Sequence, residues 1–487
     1  MTLRVEKNKW ILYRHTSNFD LITAVAVNLK FYSKTSITKK DRKNLLLKLK
    51  ELSYYRERNP ELPLDSINHR INTLAYYMFG YKEKINKKER FLFSPLGNLF
   101  LKNMDDESKK AKIFLTMLWA MQFQHPHGGT NKEYQLYPFR LIFKLLSDYR
   151  LGNKLYAYEV AYKVVFIKRV SNDVYETLVN ELLDLRKLSN EELTIKFKKD
   201  VHTYVNSIYE WDTYVSKLFS TANVIEKTNG EEICKLQHGN KDKYGNITFR
   251  KVTRSFVEIP DNLKDLVTKL EFSYSYIEKP LILNDPERLK IDVIKEIYSF
   301  YPKILLDSIG EVENELKLDL LNLTKLIEKY SNNNDGAEAY LFEDVLTEGF
   351  NQFYNVDAEK IGGAGNTDIE CLYLTKKKKF AVDAKSTKNK LSGINSGRLA
   401  GHRDKIGGEY TIVVAPRYVP AVLQDIQSSQ IVIIRASTFS EYLYNCIDNN
   451  IREIDFEDFD SIIINNLGTD ISKNISTMTI ERFATTS

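Results

Sequence analysis

Apolar residues recur at helical spacing over most of the first two thirds of the chain, then give way to short β-type runs after residue 336. Thr38 is placed to cap a helix over Lys39 to Leu52, with leucines at 45, 46, 47 and 49. Pro63-Leu64-Asp65-Ser66 opens a second helix, Ile67 to Phe79, with Gly80 as its stop. Ile67, Ile71, Leu74, Tyr77 and Met78 form its apolar stripe; Asn68, His69, Arg70, Asn72 and Thr73 form the other face. A short run, Phe91 to Phe93, precedes a helix opened by Ser94-Pro95-Leu96-Gly97. Helix, turn, helix, short strand, helix is the order of a winged helix. A face of Asn, His and Arg suits base edges and phosphates. The plain alternative is a solvated helix face.

Helical patterning continues through Ala111–Phe123, Pro138–Tyr149, Ala157–Phe166, Val174–Leu188 and Asn190–Asn206. His125 and His127 flank Pro126; no Cys or acidic partner stands at matching spacing, so they read as a loop rather than a metal site. From Asn223 to Ile259 the pattern changes to short β runs separated by Asn229-Gly230 and Tyr244-Gly245-Asn246, which predicts hairpins. The segment carries Lys235, Lys241, Lys243, Arg250, Lys251 and Arg254. A basic ribbon can follow a phosphate backbone, and can equally be an exposed hairpin. Pro286 to Tyr330 is helical again, with Leu316, Leu320, Leu323 and Ile327 in one stripe, and Ser331-Asn332-Asn333-Asn334-Asp335-Gly336 reads as a linker. The expected domains are 1–150, 151–280, a helical linker 281–336, and 337–487.

The last domain holds the candidate chemistry. A helix from Ala337 to about Tyr354 carries Ala339, Phe342, Leu346, Phe350 and Phe353 on one face. Gly362-Gly363-Ala364-Gly365-Asn366-Thr367-Asp368 leads into Ile369–Leu374; a tetralysine, Lys376 to Lys379, breaks the run as a solvated turn; Phe380–Val382 then delivers Asp383-Ala384-Lys385. Alternation along a strand puts Asp383 and Lys385 on one face. Two carboxylates and an ammonium at one spot suit a divalent metal and a phosphate. Of Glu338, Glu343 and Glu348 on the preceding helix, Glu343 lies at the edge of the apolar face and is the candidate third acid. Arg398 and His402 sit one turn apart on the predicted helix Asn395–Ile406, where they can face a scissile phosphate or the solvent. Strands Tyr410–Ala415 and Ile431–Ile434, with helices Ala421–Gln427 and Ser437–Tyr444, complete a sheet flanked by helices.

Composition narrows this only slightly. A net charge of +6 from 71 basic and 65 acidic residues is mildly basic and does not by itself identify a nucleic-acid binder. The 3 cysteines, Cys234, Cys371 and Cys446, allow neither a disulfide framework nor a metal knuckle. Leu21–Leu29 is too short to span a bilayer, and Met1 to Lys7 lacks the apolar core of a signal peptide. A soluble, cytoplasmic protein without membrane contact is expected.

Thr367-Asp368 and Asp383-Ala384-Lys385, within this element order, resemble the motif of the PD-(D/E)xK nuclease superfamily, with Thr367 in place of its proline. Phe342-Glu343, Ile113-Phe114-Leu115 through Gln124-His125, Tyr137-Pro138-Phe139, Ile142-Phe143, Val413-Val414-Ala415-Pro416, Arg70 and Ser94-Pro95-Leu96-Gly97 extend the likeness across most of the chain. The chain looks like the AlwI-like type IIS restriction endonucleases, relatives of the nicking enzyme large subunits, in which Glu stands where Lys385 stands here. The resemblance implies a multidomain α+β protein: mainly helical winged-helix-type recognition domains, a helical linker, and a C-terminal α/β PD-(D/E)xK nuclease domain. It implies a Mg²⁺-dependent, site-specific deoxyribonuclease that binds an asymmetric site on double-stranded DNA and cuts at an offset, leaving 5′-phosphate ends. Asp368, Asp383 and the Ala384 carbonyl would hold Mg²⁺ with Glu343 assisting, and Lys385 would activate the water. Asn68, His69, Arg70, Asn72, Arg250, Lys251 and Arg254 are candidate DNA contacts. The partners would be duplex DNA, a transient second copy or second catalytic subunit, and a cognate DNA methyltransferase. A strand-specific nickase, a subunit of a heterodimeric cutter, a non-catalytic winged-helix regulator and a repair nuclease stand as alternatives.

Overall fold

A computed structural model describes residues 9–10, 12–13, 16–32, 35–53, 55, 61–85, 88–127, 133–241, 245–286, 290–311, 315–332, 339–363, 365–449, 451 and 453–483. The chain divides into two compact units, Met1–Leu283 with Ile297–Glu311, and Asn284–Glu296 with Val312–Ser487. Among the described residues no helix is long and apolar enough to cross a membrane.

In the first unit, the helix Lys39–Lys50 starts as expected. The Thr38 hydroxyl accepts from the Asp41 amide at 3.3 Å, while the Asp41 carboxylate accepts from the Thr38 amide at 2.9 Å. The next helix spans Pro63–Tyr76 and ends earlier than its apolar pattern suggests, because Met78 turns left-handed at φ 67°. Gly80 does not cap it. It opens a strand, β1 (Gly80–Ile85), where a Cβ would meet the Leu92 carbonyl oxygen at 2.0 Å. β1 pairs antiparallel with β2 (Lys88–Phe93). Its charged Tyr-Lys-Glu-Lys sequence masks β1 from a reading based on hydrophobicity. Ser94 caps the following helix, Pro95–Lys102, by accepting from Gly97 N at 3.0 Å.

The run read as one helix, Asn190–Asn206, is two: Asn190–Lys198 and Val201–Ile208. Asp200 ends the first and caps the second, accepting from Thr203 N at 3.4 Å. The β segment forms β4 (Glu226–Thr228), β5 (Glu232–Lys241), β6 (Ile247–Thr253) and β7 (Phe256–Glu258). With β3 (Lys154–Tyr156), unforeseen from sequence, they make a sheet of order β3-β7-β4 and a separate β5–β6 ribbon. Lys243 lies outside the described residues.

The stretch expected to link domains is built into the units instead. Its helix Glu315–Ser331 packs on Ala339–Phe350 and Ala436–Asp448, with Leu323 and Ile327 in the second unit's core. The reason is general: an amphipathic helix is marginal until its apolar stripe is covered. The Leu316 side chain, Asn333 to Gly336, Ala337 and Glu338 lie outside the described residues. On Ala339–Phe350, Phe342, Leu346 and Phe350 are buried, while Ala339 at its start is exposed.

The second unit's sheet runs β12-β11-β10-β9-β8, from β8 (Val356–Lys360), β9 (Ile369–Tyr373), β10 (Lys378–Ala384), β11 (Gly408–Ala415) and β12 (Ile431–Arg435). β9 pairs antiparallel with both β8 and β10; β10, β11 and β12 are parallel, connected through the helices Ser396–Ile406 and Ala421–Ile426. Phe380 stacks between Tyr410 and Phe456 at centroid distances of 5.3 and 4.9 Å, at the centre of the core. Two further helices, Glu457–Asn465 and Ser472–Phe483, follow the last predicted one.

The tetralysine is solvated at its turn, where Lys376 and Lys377 are exposed, but three of its lysines are also held by ion pairs. Lys376 pairs with Asp460 at 2.9 Å and Glu457 at 2.8 Å, Lys378 pairs with Asp460 at 2.7 Å, and Lys379 pairs with Glu370 at 2.5 Å. Acidic side chains on a helix about 80 residues downstream make the run structural, and no local pattern reveals them.

Candidate active site

Strand β10 is central, with neighbours on both edges, so its side chains are fixed on both faces. Phe380 and Val382 enter the core below, and Asp383 faces the other way with only 4% of its surface exposed. Asp368 is delivered by the glycine-rich turn. Gly362, Gly363 and Gly365 hold φ of 57°, 89° and 82°, values that favour glycine. Ile361 N and Gly362 N both donate to the Asp368 carbonyl, at 2.9 and 3.2 Å. Thr367, where the resembled motif has proline, is buried and donates from Oγ1 to the Val382 carbonyl at 3.0 Å. Lys405 closes the turn by donating to the Gly365 carbonyl. Ala364 lies outside the described residues.

These ties set the Asp368 carboxylate against the end of β10, where Oδ2 accepts from Ala384 N at 2.7 Å. Lys385 Nζ lies 2.5 Å from Asp383 Oδ2. That contact is ionic: no donor is aligned on Oδ2, and this buried oxygen carries no hydrogen bond among the described residues. Glu343 is one-quarter exposed and 3.2 Å from Lys360 on β8, while Asp344 takes the same ammonium at 2.8 Å. Glu343 still reaches Asp368 electrostatically. Burial first, then the charges of Asp383 and Glu343, raise the Asp368 carboxyl from 3.8 to about 6, against the Ala384 hydrogen bond and Lys385. Glu348 is exposed.

His402, on the helix Ser396–Ile406, is half-buried with no partner on its buried Nδ1 among the described residues. Burial and then Arg398, Lys405 and Lys385 lower its basicity, while Asp383 opposes them. Arg398 is exposed. Thus Asp368, Asp383, Ala384 and Lys385 converge, Glu343 lies at the edge held by Lys360, and His402 looks on. Among the described residues no three His, Cys, Asp or Glu side chains already form a metal cage. The donors nevertheless fit a hard cation: two clustered carboxylates, one with a buried oxygen lacking a hydrogen bond and one reluctant to ionise alone. Lys360 and Lys405 were not singled out from sequence. Lys360 sits on β8, whose Val356-Asp-Ala-Glu-Lys alternation was the available signal.

The candidate DNA contacts lie in the first unit. The helix face 68–73 is less open than its polarity suggests. Arg70 and Thr73 are buried at 7% and 1%, Asn68 accepts from Arg42 at 2.9 Å, Asn72 bonds Tyr13, and His69 is exposed. Arg250 covers the Tyr209 ring at 4.0 Å. Arg254 donates to Asn190 and to the Leu188 carbonyl, each at 2.9 Å. Lys251 is exposed and pairs with Glu232 at 3.0 Å. His125 is buried, its Nε2 2.8 Å from the Tyr76 carbonyl and its ring stacked on Tyr76. Burial lowers it to about 3 and His127 to about 4, so both stay neutral loop residues.

The raised Asp368 gives a signed expectation. Between its unfolded value and about 6, the folded chain keeps a proton that the unfolded chain has lost, so this group costs stability as pH rises through that window. Without divalent cation at pH 7.5, Asp368→Asn is therefore expected to be more stable than wild type by about 2 kcal/mol. Thermal melting in EDTA checks this. Equal melting at pH 7.5 would mean that the acidic pair is not strained.

Residues 5–274 match the family described as type II restriction endonuclease HgaI, N-terminal domain. The chain is 46% identical over 477 residues to the type II restriction enzyme HgaI of Avibacterium volantium, covering 97% of each. Two solved structures of the restriction endonuclease FokI, one bound to DNA, align over 96% and 95% of this chain and 100% and 99% of theirs. They do so at 11% identity with TM-scores of 0.27 and 0.28, a likeness too distant to bear on the fold.

Proposed function

The chain belongs to the type II restriction endonuclease HgaI family, and on that footing we propose that it is a Mg²⁺-dependent, site-specific endonuclease of duplex DNA that binds an asymmetric site and cuts at an offset. The observation that carries the cutting half is the convergence of Asp368, Asp383 and Lys385 at the end of β10, with Asp383 Oδ2 buried and lacking a hydrogen bond. In this reading residues 337–487 are a PD-(D/E)xK nuclease domain. Residues 1–150 and 151–280 are winged-helix-type and helical/β-ribbon recognition domains. The helix pair followed by the β1–β2 hairpin supports the winged-helix part. The AlwI-like habit of cutting outside the recognised sequence belongs to the same proposal.

Asp368, Asp383 and the Ala384 carbonyl would hold Mg²⁺, with Glu343 assisting when it leaves Lys360. The ion would supply charge neutralisation at the phosphate and make a water more acidic. The protein's own part is positioning. Ala384 N fixes the Asp368 carboxylate, and the paired acids keep the site electronegative until a cation arrives. Lys385 lies beside the same oxygen of Asp383 and is placed to orient and activate the attacking water by donating to it from its ammonium, while the proton the water loses passes to bulk solvent. In-line attack breaks the P–O3′ bond, leaving a 5′-phosphate and a 3′-hydroxyl. Arg398 and His402 would face the scissile phosphate.

One such cluster cuts one strand, so double-strand cleavage calls for a transient second copy or a second catalytic subunit. A cognate DNA methyltransferase would protect the host, and a bacterial cytoplasm is the expected setting. Incubating plasmid of known sequence with the full-length protein and Mg²⁺, then sequencing the ends, is the test. Discrete fragments with 5′-phosphates at a fixed distance from one sequence are expected. A single-strand nick would assign the nickase variant, and a smear or intact plasmid with Mg²⁺ and Mn²⁺ would overturn the reading.

A further inference from the structure

The β5–β6 ribbon has two unlike faces. Cys234, Leu236 and Val252 are buried on the inner one, against the helices Asn190–Lys198 and Val201–Ile208. Arg250 shares this inner side with its guanidinium over Tyr209. The register defines the outer face: Lys235 opposite Lys251, Gln237 opposite Phe249, and Lys241 opposite Ile247. All six residues are exposed, Phe249 at 51% and Ile247 at 54%. A lone exposed apolar residue is ordinary. Two on one strand face, two residues apart and framed by lysines, form a patch with a purpose. Lys235 and Lys251 face each other across the strands, which is unfavourable without a countercharge. Glu232 lies 3.8 and 3.0 Å from them, so one carboxylate answers both ammonium groups, and the exposed Lys241 adds a third charge to this face.

We propose that this outer face seats in the major groove of duplex DNA and is a base-reading surface of the protein, an inference that rests on the endonuclease reading above. Strands about 4.8 Å apart make a ribbon that fits a groove about 12 Å wide. The lysines meet the phosphates at its edges, where point charges suffice. The Gln237 amide both donates and accepts, which matches the N6 and N7 edge of adenine. Phe249 and Ile247 pack against base edges and thymine methyls. The charge pattern argues against a second copy of this chain as occupant, because it would set lysines against lysines. Of the basic residues first picked out on this segment, Arg250 and Arg254 are engaged inside the unit, while Lys251 lies on the outer face; Gln237 and Phe249, opposite each other, are the reading residues.

The test uses full-length protein with Ca²⁺ in place of Mg²⁺, and fluorescence anisotropy with two duplexes: one carrying the site mapped by plasmid cleavage, one with that site scrambled. Gln237→Ala combined with Phe249→Ala is expected to cut the ratio of specific to scrambled affinity by about 10-fold or more, with scrambled binding unchanged. Lys235→Ala combined with Lys251→Ala is expected to weaken both duplexes alike and to lower the slope of log affinity against log salt by about 2. Circular dichroism and melting establish that both variants fold; because all four side chains are exposed, wild-type melting is expected. Wild-type discrimination in the first variant, or an unchanged slope in the second, overturns this assignment while leaving plasmid cleavage intact. If the wild-type protein neither cuts at a fixed site nor prefers any duplex, the endonuclease reading fails and this inference falls with it.

Discussion

Asp383→Ala is expected to abolish DNA cleavage while leaving DNA binding and folding intact. The carboxylate is 4% exposed, pairs with Lys385 at 2.5 Å, and carries an oxygen with no hydrogen-bond donor. Burying a charge in that state is costly, and such charges cluster at functional sites. In the proposed mechanism, alanine would remove one hard ligand and also the anion that steers the Lys385 ammonium. Losing both the charge neutralisation at the phosphate and the orientation of the water would amount to several kcal/mol of barrier, or on the order of 10³-fold or more in rate. Plasmid cleavage with Mg²⁺ reads the loss, and anisotropy with Ca²⁺ reads the retained binding. Because removing the acid also relieves repulsion on Asp368, the variant should melt no lower than wild type in EDTA. Cleavage within tenfold of wild type would remove Asp383 from the site altogether.

The largest stability effect is expected away from this site. Asp460 is fully buried and accepts from Lys378 at 2.7 Å, Lys376 at 2.9 Å and the Tyr410 hydroxyl at 2.8 Å. Burial opposes its ionisation, but the hydrogen bonds from Lys378, Lys376 and Tyr410 outweigh it and hold the carboxyl below its ordinary value. Asp460→Ala strands the Lys378 ammonium, whose side chain is 9% exposed, with only the half-exposed Glu409 at 3.2 Å. Breaking a buried pair from one side costs roughly 3–5 kcal/mol. Urea or thermal unfolding of the full chain checks this, and Asp460→Asn, which can still accept, should lose less. A depressed carboxyl contributes stability above its unfolded value and loses it as pH falls through the folded one, so the gap between wild type and Asp460→Ala should close below about pH 4. A loss under 1 kcal/mol at pH 7 would mean that the lysines find water instead.

The tetralysine marks where sequence stops informing. Four consecutive lysines read as solvent, since local pattern contains no term for Glu457 and Asp460 arriving from a later helix. The same holds for Glu315–Ser331. Its stripe was plain, but whether it spans solvent or covers a core depends on what comes to lie against it. Strand β1 was missed because its charges conceal a pairing that the Phe-rich β2 imposes on it. Thr38 and Ser94 were legible as helix starts because a cap acts within three residues.

At the candidate site, sequence alone determined the local chemistry. A glycine-rich turn leads to Asp368, period-two alternation sets Asp383 and Lys385 on one face, and helical periodicity singles out Glu343. Each of these depends on neighbours a few residues away. Only the tertiary structure decided that Asp368 meets Ala384 N across β9 and β10, that Lys360 holds Glu343 to one side, and that His402 senses the charge of Asp383 from a separate helix. It also decided that the ribbon's arginines turn inward while Gln237, Phe249 and the lysines remain outside. The physical reason is common to all of them. Burial and partner charges are properties of the assembled chain, and a residue's sequence neighbours fix which way it points but not what it will meet.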